Sequence, residues 1–251
     1  MINTQVVDHV LKIQIDQASK KNALNPRMYE DMAIAIETAS ESAVKVILIE
    51  GANACFTSGN DVSEFVKSSA KTGDINETYR FMLALLHCPL PVVAKVEGLA
   101  IGIGTTLLLH CDFVLAHKNT KFAMPFINLG LVPEYASSYI IPRIGGHLVA
   151  AELLMLGEVF SAEKALSAGL INSMHDDDLE QACKQLVNKL IAKPTAALQQ
   201  TKALLKYDKV NIQHYIDEEL KWFVQAMQTD VAKEAFAAFI EKREINRNIF
   251  K

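Results

Sequence analysis

Apolar and polar residues alternate in short runs through the first part of the chain and recur at helical spacing toward its end. Leu11, Ile13 and Ile15 alternate with polar residues, which predicts a strand with one buried face. Residues 44–49 are almost all apolar, which is typical of a strand covered on both faces. Between these strands, Pro26 opens a segment with apolar residues at every third or fourth position, which predicts an amphipathic helix. This strand, helix, strand order indicates an α/β fold.

The middle of the chain continues with shorter elements. Predicted strands cover residues 92–96, 113–116 and 121–123, and predicted helices cover residues 77–87, 146–156 and 162–168. Pro133 and Glu134 open a further helical segment that extends through residue 141 and is interrupted by Pro142.

From residue 178 onward almost every segment is amphipathic and helical. The segments are 178–192, 195–206, 212–227 and 231–244. We therefore place a boundary near residue 193, with a core over residues 1–193 and a helical region over residues 194–251. A helical tail of this kind either packs on its own core, where it covers a site, or buries its apolar face against a neighbouring subunit.

Composition and charge narrow the choice of partner. The 251 residues are 50% hydrophobic. The formal net charge of -4 provides no excess of positive charge to attract nucleic acid or an anionic membrane. No apolar run approaches the roughly 18 residues that span a bilayer, and the N-terminus lacks the features of a signal peptide. We expect a cytoplasmic protein that binds a small molecule. The four cysteines are far apart in sequence and predict neither a metal site nor a disulfide framework.

Two turns of small residues carry the candidate chemistry. Residues 56–62 and 98–104 each follow an apolar strand and precede a helix, so each can present free backbone N–H groups. Two such turns that face each other would bind an oxyanion. Glycines needed only for positive φ or close packing would explain the same pattern. The second turn is not a dinucleotide fingerprint, because Leu107 occupies the place of the third glycine.

Several motifs in sequence order resemble the crotonase (enoyl-CoA hydratase/isomerase) superfamily. They lie at residues 20–25, 56–61, 96–104, 111–112, 161–170 and 239–243. The resemblance implies a spiral of ββα repeats with a helical C-terminal region and assembly as a homotrimer or hexamer. It implies an acyl-CoA thioester as substrate, with no metal and no cofactor beyond the CoA of the substrate itself.

The resemblance also implies roles for particular residues. The two oxyanion-hole donors would be the backbone N–H groups of Asn60 and Ile103. Contacts to the acyl-CoA would fall on residues of the two turns and of a short segment before the first helix. These residues are Ala23, Leu24, Ser58, Gly59, Asn60, Asp61, Val62 and Gly104. Asp61 itself is expected to brace the loop or cap a helix, and not to act as a catalyst.

Two positions differ from the family pattern, and these differences affect which reaction we expect. Hydratases of this family use two glutamates, and the matching positions here hold Thr106 and Phe126. Water addition needs one group to activate the nucleophile and usually a second to protonate carbon, so hydration by the usual route is not expected. Glu134 follows Pro133, as the catalytic glutamate does in the peroxisomal-type 3,2-trans-enoyl-CoA isomerases that this arrangement resembles. Without the resemblance, Glu134 would be interpreted as a first-turn carboxylate stabilised by the helix dipole.

The expected activity is therefore migration of a double bond from C3 to C2 of an acyl-CoA, with Glu134 as the single base. Two alternatives stay open. One is another reaction of a CoA thioester through the same enolate, such as hydration or dienoyl isomerisation. The other is a scaffold that binds acyl-CoA without turning it over.

Overall fold

The computed structural model describes residues 1–63, 76–206 and 208–250 of the chain. Within these residues the strands are β1 (Ile2–Val7), β2 (Val10–Ile15), β3 (Val46–Gly51), β4 (Val92–Val96), β5 (Leu99–Ile101), β6 (Phe113–His117), β7 (Lys121–Ala123), β8 (Phe160–Ser161) and β9 (Ser173–His175). The larger sheet has the order β1-β2-β3-β4-β6-β9, and the smaller sheet has the order β5-β7-β8.

The larger sheet is parallel except at its first pair. β1 and β2 form an antiparallel hairpin, and each later pair from β2 to β9 is parallel. Asp8 and His9 connect the hairpin with positive φ angles, as a two-residue turn between twisted strands requires. In the smaller sheet β5 and β7 are parallel, and β8 joins β7 in the antiparallel sense.

The α-helices of the described residues are α1 (Pro26–Ala39), α2 (Asn76–His87), α3 (Ile103–Thr106), α4 (Ser137–Ile144), α5 (His147–Ala151), α6 (Ala162–Ser167), α7 (Leu179–Ile191), α8 (Thr195–Leu205), α9 (Lys209–Met227) and α10 (Asp230–Glu241). Helix α1 begins as the sequence predicts, because Pro26 is at its start and the Asn25 side chain accepts a hydrogen bond from the Met28 amide. Ser161 caps α6 in the same way. None of these helices is long and apolar enough to cross a membrane.

Helices cover both faces of the larger sheet. On one face, Val46, Val93 and Leu115 pack against Leu179 and Cys183 of α7. On the other face, alternate strand residues pack into a larger core that includes α1, α2 and parts of α9 and α10. Burial on both sides explains why the central strands are nearly continuous apolar runs.

Helix α8 is attached to the core by a buried ion pair. Lys202, only 5% exposed, places its Nζ 2.7 Å from Oδ2 of Asp112 and donates to the Leu90 carbonyl at 2.6 Å. The Val92 amide donates to the same Asp112 oxygen at 2.8 Å. The helical region that begins near residue 194 is therefore joined to the beginnings of β4 and β6 by buried polar contacts, which are costly to break singly.

The region around Glu134 differs from the prediction. Helix α4 begins at Ser137, not at Pro133, because Tyr135 and Ala136 adopt left-handed backbone angles that no α-helix contains. Glu134 therefore precedes the helix and is not a first-turn residue. Pro142 lies inside α4 and does not interrupt it.

The helix tolerates Pro142 because its neighbours hold the last turn in place. Ile141 is fully buried, and the Arg143 guanidinium lies 3.3 Å from the centre of the Tyr139 ring and donates to the Tyr139 carbonyl at 2.7 Å. These contacts offset the backbone hydrogen bond that a proline inside a helix removes.

Candidate active site

The two small-residue turns are joined backbone to backbone. The Thr57 amide donates to the Leu99 carbonyl at 2.8 Å, and the Ile101 amide donates to the Thr57 carbonyl at 3.1 Å. The second turn thus contains strand β5, which the sequence interpretation missed because three residues are too few to show an alternation. A Cβ added to Gly104 would lie 2.5 Å from Cγ2 of Thr57. The two turns therefore pack as closely as their side chains permit.

Each turn presents a backbone amide that its own secondary structure does not use. The bridge between Leu24 and Asn60 consists of Leu24 N–H to Gly59 C=O and Asp61 N–H to Leu24 C=O, so it leaves out the Asn60 amide. Ile103 is the first residue of α3, and the first amides of a helix have no acceptor within it. The Ile103 amide lies at the N-terminal end of α3, where an anion is favoured.

Asn60 and Ile103 line the same cavity, which has a volume of about 300 Å³. Its wall combines residues of both turns with apolar side chains from the segment 125–131 and from the C-terminal helices. The lining residues are Lys20, Ala23, Ser58, Gly59, Asn60, Asp61, Val62, Ile101, Gly102, Ile103, Pro125, Phe126, Leu129, Leu131, Phe223, Phe236 and Phe239. The lining thus combines residues of the two turns, some with polar side chains, with aromatic and aliphatic side chains.

Side chains of the first turn are held by ion pairs and hydrogen bonds. Lys20 Nζ lies 2.5 Å from Oδ2 of Asp61, and Oδ1 of Asp61 accepts from the Ser63 amide at 3.1 Å and from its hydroxyl at 2.6 Å. These donors lower the pKa of Asp61 against the effect of its burial. Asp61 therefore braces the loop, as predicted. The helix expected after this turn is present at Val62 and Ser63, and residues 64–75 lie outside the described part.

A buried tyrosine fixes the side chain of Asn60. The hydroxyl of Tyr29, on α1, donates to Oδ1 of Asn60, and the Tyr29 ring packs on Phe81 with centroids 5.6 Å apart. Tyr29 is 2% exposed, and burial raises the pKa of its phenol well above the ordinary value. This contact was not predicted, because the two residues are 31 positions apart and no local pattern links them.

Glu134 is a buried carboxyl group to which one side chain of the described residues donates a hydrogen bond. It is 2% exposed, and Thr106 Oγ1 donates to its Oε1 at 2.6 Å. Desolvation raises the pKa of Glu134 to about 8, Thr106 opposes that rise, and the nearby Glu219 adds to it. Thr106 is the last residue of α3, the helix that begins at Ile103. One short helix thus contacts Glu134 at its end and lines the cavity at its beginning.

Comparison with known proteins places this arrangement in a family. Residues 6–248 match the model of the enoyl-CoA hydratase/isomerase family. The chain belongs to the enoyl-CoA hydratase/isomerase family.

Individual proteins are similar over most of the chain. Enoyl-CoA delta isomerase 2 of Rattus norvegicus is 32% identical over 217 residues, which are 84% of this chain and 55% of the rat protein. The chain thus spans about half the length of that relative. A probable enoyl-CoA hydratase of Bacillus subtilis is 29% identical over 95% of both chains. The structure of Pseudomonas aeruginosa OdaA superimposes with a TM-score of 0.91 at 41% identity, over 95% of this chain and 98% of that one.

The crotonase-like α/β fold with a helical C-terminal region, expected from the resemblance, is confirmed by these matches. Most of the predicted substrate contacts also come together, because Ala23 and the residues from Ser58 to Val62 line one cavity with Ile103. Leu24 and Gly104 do not line it. Leu24 is 1% exposed and forms the bridge to Asn60, and Gly104 is buried against Thr57.

Glu134 is not among the lining residues of the cavity either. At the two positions where hydratases of the family have glutamates, Thr106 donates to Glu134 and Phe126 lines the cavity. In the described part of the chain, no group of three His, Cys, Asp or Glu side chains is placed to hold a metal ion.

Proposed function

We propose that this chain is an enoyl-CoA isomerase that moves a double bond from C3 to C2 of an acyl-CoA thioester. The observation that carries the proposal is Glu134, a buried carboxyl group hydrogen-bonded to Thr106 on the helix that begins at the oxyanion-hole residue Ile103. The family's two hydratase carboxylates are replaced by Thr106 and Phe126. A reaction that needs one carboxylate therefore fits these residues better than one that needs two.

The thioester oxygen would be bound by the amides of Asn60 and Ile103. Because charge grows on this oxygen as the C2 proton leaves, fixed donors stabilise the dienolate more than the substrate. Removal of one such donor typically costs about 2.7–4 kcal/mol of the barrier reduction. The apolar wall formed by Phe126, Phe223 and Phe236 would hold the acyl chain and exclude water from the dienolate.

Glu134 would take the proton from C2 and return it to C4. One carboxylate serves both steps because the shift leaves no net change in protons or electrons, and for this reason we propose no metal, flavin or nicotinamide. Burial makes Glu134 a stronger base than an exposed carboxylate once it is ionised. The proposal requires the carboxylate to reach the α-carbon from the side of Thr106 when the thioester fills the cavity.

We also propose that the chain assembles as a homotrimer or hexamer through its C-terminal helices. Large apolar side chains there are exposed in the single chain, with Trp222 58%, Phe239 62% and Ile240 49% accessible. Large apolar side chains that are exposed in one region of a chain favour association. Phe223, Phe236 and Phe239 of the same helices line the cavity, which supports a second role for this region as a cover of the site.

A panel of 3-enoyl-CoA thioesters, assayed by the absorbance of the conjugated product, tests the reaction. We expect turnover by the wild-type chain and a loss of at least about a hundredfold in Glu134→Gln, with acyl-CoA binding retained. Near-normal isomerisation by this variant would rule out Glu134 as the base. Hydration of 2-enoyl-CoA without isomerisation would favour a hydratase, and binding with no turnover of any thioester would favour a scaffold.

A further inference from the structure

Glu219, on the C-terminal helix α9, is a second buried carboxylate beside the proposed base. It is 7% exposed, and its Oε1 accepts hydrogen bonds from the Ser138 amide at 3.0 Å and from the Ser138 hydroxyl. Burial raises the pKa of Glu219, and the hydrogen bonds from Ser138 and from the amides of Ala136 and Ser137 oppose that rise by favouring its charged form. Glu219 thus caps the beginning of helix α4 with a side chain that is 81 positions away in sequence.

The turn between Glu134 and this helix has an unusual backbone. Tyr135 and Ala136 have φ angles of 60° and 57°, and two successive non-glycine residues in this region cost roughly 1 kcal/mol or more each. Such a turn persists only where its surroundings hold it. The direction in which Glu134 leaves the chain depends on this turn, because Glu134 immediately precedes it.

The turn is held from two sides. On one side, the Tyr135 hydroxyl donates to the Met82 carbonyl at 3.0 Å, and its ring stacks on His110 with centroids 3.7 Å apart. On the other side, the Glu219 carboxylate accepts a hydrogen bond from the Ser138 amide. Removal of the Glu219 carboxylate would remove the side-chain anchor on the side of α4 and leave the contacts of Tyr135 on the other side.

We propose that Glu219 is a positioning residue, and this proposal rests on the function proposed above. Glu219 holds the left-handed turn at Tyr135 and Ala136 and so fixes the direction of the Glu134 carboxylate. The base and its support would then come from different parts of the chain. The C-terminal helical region would contribute to the reaction as well as covering the acyl chain.

The same placement gives Glu219 an electrostatic effect on Glu134. The titratable groups that face Glu134 in the described residues are Tyr29 on α1, the adjacent Tyr135, and Glu219 on α9. Burial raises the pKa of both phenols well above the ordinary value, so they are neutral at physiological pH. His110, behind Tyr135, is neutral as well, because burial lowers its pKa to about 3. Glu219 is therefore the charge that opposes ionisation of Glu134.

Three variants separate the effect of Glu219 on the position of Glu134 from the effect of the Glu219 charge. Glu219→Gln keeps an oxygen that can accept from Ser138 but removes the charge, and Glu219→Ala removes both. Glu218→Gln is the matched control, because this neighbour on α9 has a side chain 46% exposed and contacts Lys221 at 3.7 Å. For each variant, kcat and KM would be measured across pH, and the Glu134 carboxyl would be titrated by ¹³C NMR.

We expect kcat of Glu219→Ala to fall by about tenfold or more with KM little changed, because a displaced base weakens the chemical step. We expect Glu219→Gln to retain most of kcat at high pH, and its Glu134 titration to move to lower pH by at least about 0.3 units, a twofold change in ionisation. Glu218→Gln should match wild type in both measurements.

Wild-type kcat in Glu219→Ala would overturn the positioning role, and an unshifted Glu134 titration in Glu219→Gln would overturn the electrostatic one. If the alanine variant does not fold, kcat of Glu219→Asp, which keeps the charge but shortens the side chain that reaches Ser138, decides the positioning role in its place. Wild-type kcat in that variant would overturn the role. Normal isomerisation by Glu134→Gln would instead rule out Glu134 as the base, and the absence of any turnover of 3-enoyl-CoA by the wild-type chain would refute the proposed function. The NMR titration does not depend on activity, so it would still show whether Glu219 acts on Glu134.

Discussion

Thr106 Oγ1 donates a 2.6 Å hydrogen bond to Oε1 of Glu134, and this hydroxyl is the side-chain donor that favours the ionised form of the buried carboxyl group. Thr106 stands where hydratases of the family have a glutamate. Thr106 therefore takes the place of one carboxylate and donates a hydrogen bond to another, that of Glu134. The predictions below follow from this pair and from the packing of the two turns.

Thr106→Val should make Glu134 harder to ionise. Valine keeps the shape of threonine but donates no hydrogen bond, and a hydrogen bond to a charged group contributes about 1.5–3 kcal/mol. We expect the apparent pKa of the base to rise and kcat/KM at pH 7 to fall by about tenfold, with partial recovery at pH 9. Thr106→Ser keeps the hydroxyl and serves as the control. Equal activity of the two variants at pH 7 would contradict the assigned role of the hydroxyl.

The pH dependence of the wild-type reaction should report the buried base. Because burial raises the pKa of Glu134 to about 8, the fraction of ionised base grows through neutral pH. We expect kcat/KM to rise by roughly tenfold per pH unit below this pKa and to level off above it. Initial rates with a fixed 3-enoyl-CoA between pH 5.5 and 9.5 would measure this. A rate independent of pH over that range would show that Glu134 is not the titrating base.

Glu134→Gln should lose activity and gain stability at high pH. The folded-state pKa of about 8 lies above the ordinary value of 4.5, so the folded wild type loses stability as pH rises from 4.5 through 8. The pKa difference limits this loss to about 5 kcal/mol. The glutamine does not titrate, so the unfolding free energy of the variant relative to wild type should increase over that interval. Urea unfolding at pH 4.5 and pH 9 measures it, and an equal difference at both pH values would show that the carboxyl is not desolvated.

Gly104→Ala should destabilise the chain through contact with Thr57. The added Cβ would lie 2.5 Å from Cγ2 of Thr57, and overpacking of this kind typically costs about 1–3 kcal/mol. Thr57→Ser removes that methyl group and keeps the hydroxyl, which donates to the Asn22 carbonyl at 2.6 Å. We expect the double variant Gly104→Ala/Thr57→Ser to recover most of the lost unfolding free energy. Additive effects of the two substitutions would mean that the clash lies elsewhere.

Much of the fold could be predicted from the sequence because its signals are local. Pro26 after Asn25 sets the start of α1, and the apolar runs at 44–49 and 92–96 become neighbouring strands β3 and β4. The short strand β5 could not be predicted, since its backbone hydrogen bonds go to Thr57 and to β7.

The site residues that could be predicted are likewise those marked by the local sequence, and those that could not are defined by contacts with distant residues. The small-residue turns and Glu134 were visible in the sequence, since glycine spacing and family motifs mark them. Tyr29 and Glu219 were not, because each acts on a residue far along the chain. The start of α4 was predicted too early because the left-handed angles at Tyr135 and Ala136 are imposed by tertiary contacts and have no sequence signature.

The bridge between Thr57 and Ala100, together with the close approach of Gly104 to Thr57, joins the two small-residue turns directly to each other. If these turns form the proposed oxyanion hole, the separation between the Asn60 and Ile103 amides is set when the protein folds, before any thioester arrives. Solvent dipoles would have to reorient around a developing negative charge, whereas these preorganised amide dipoles need no such rearrangement.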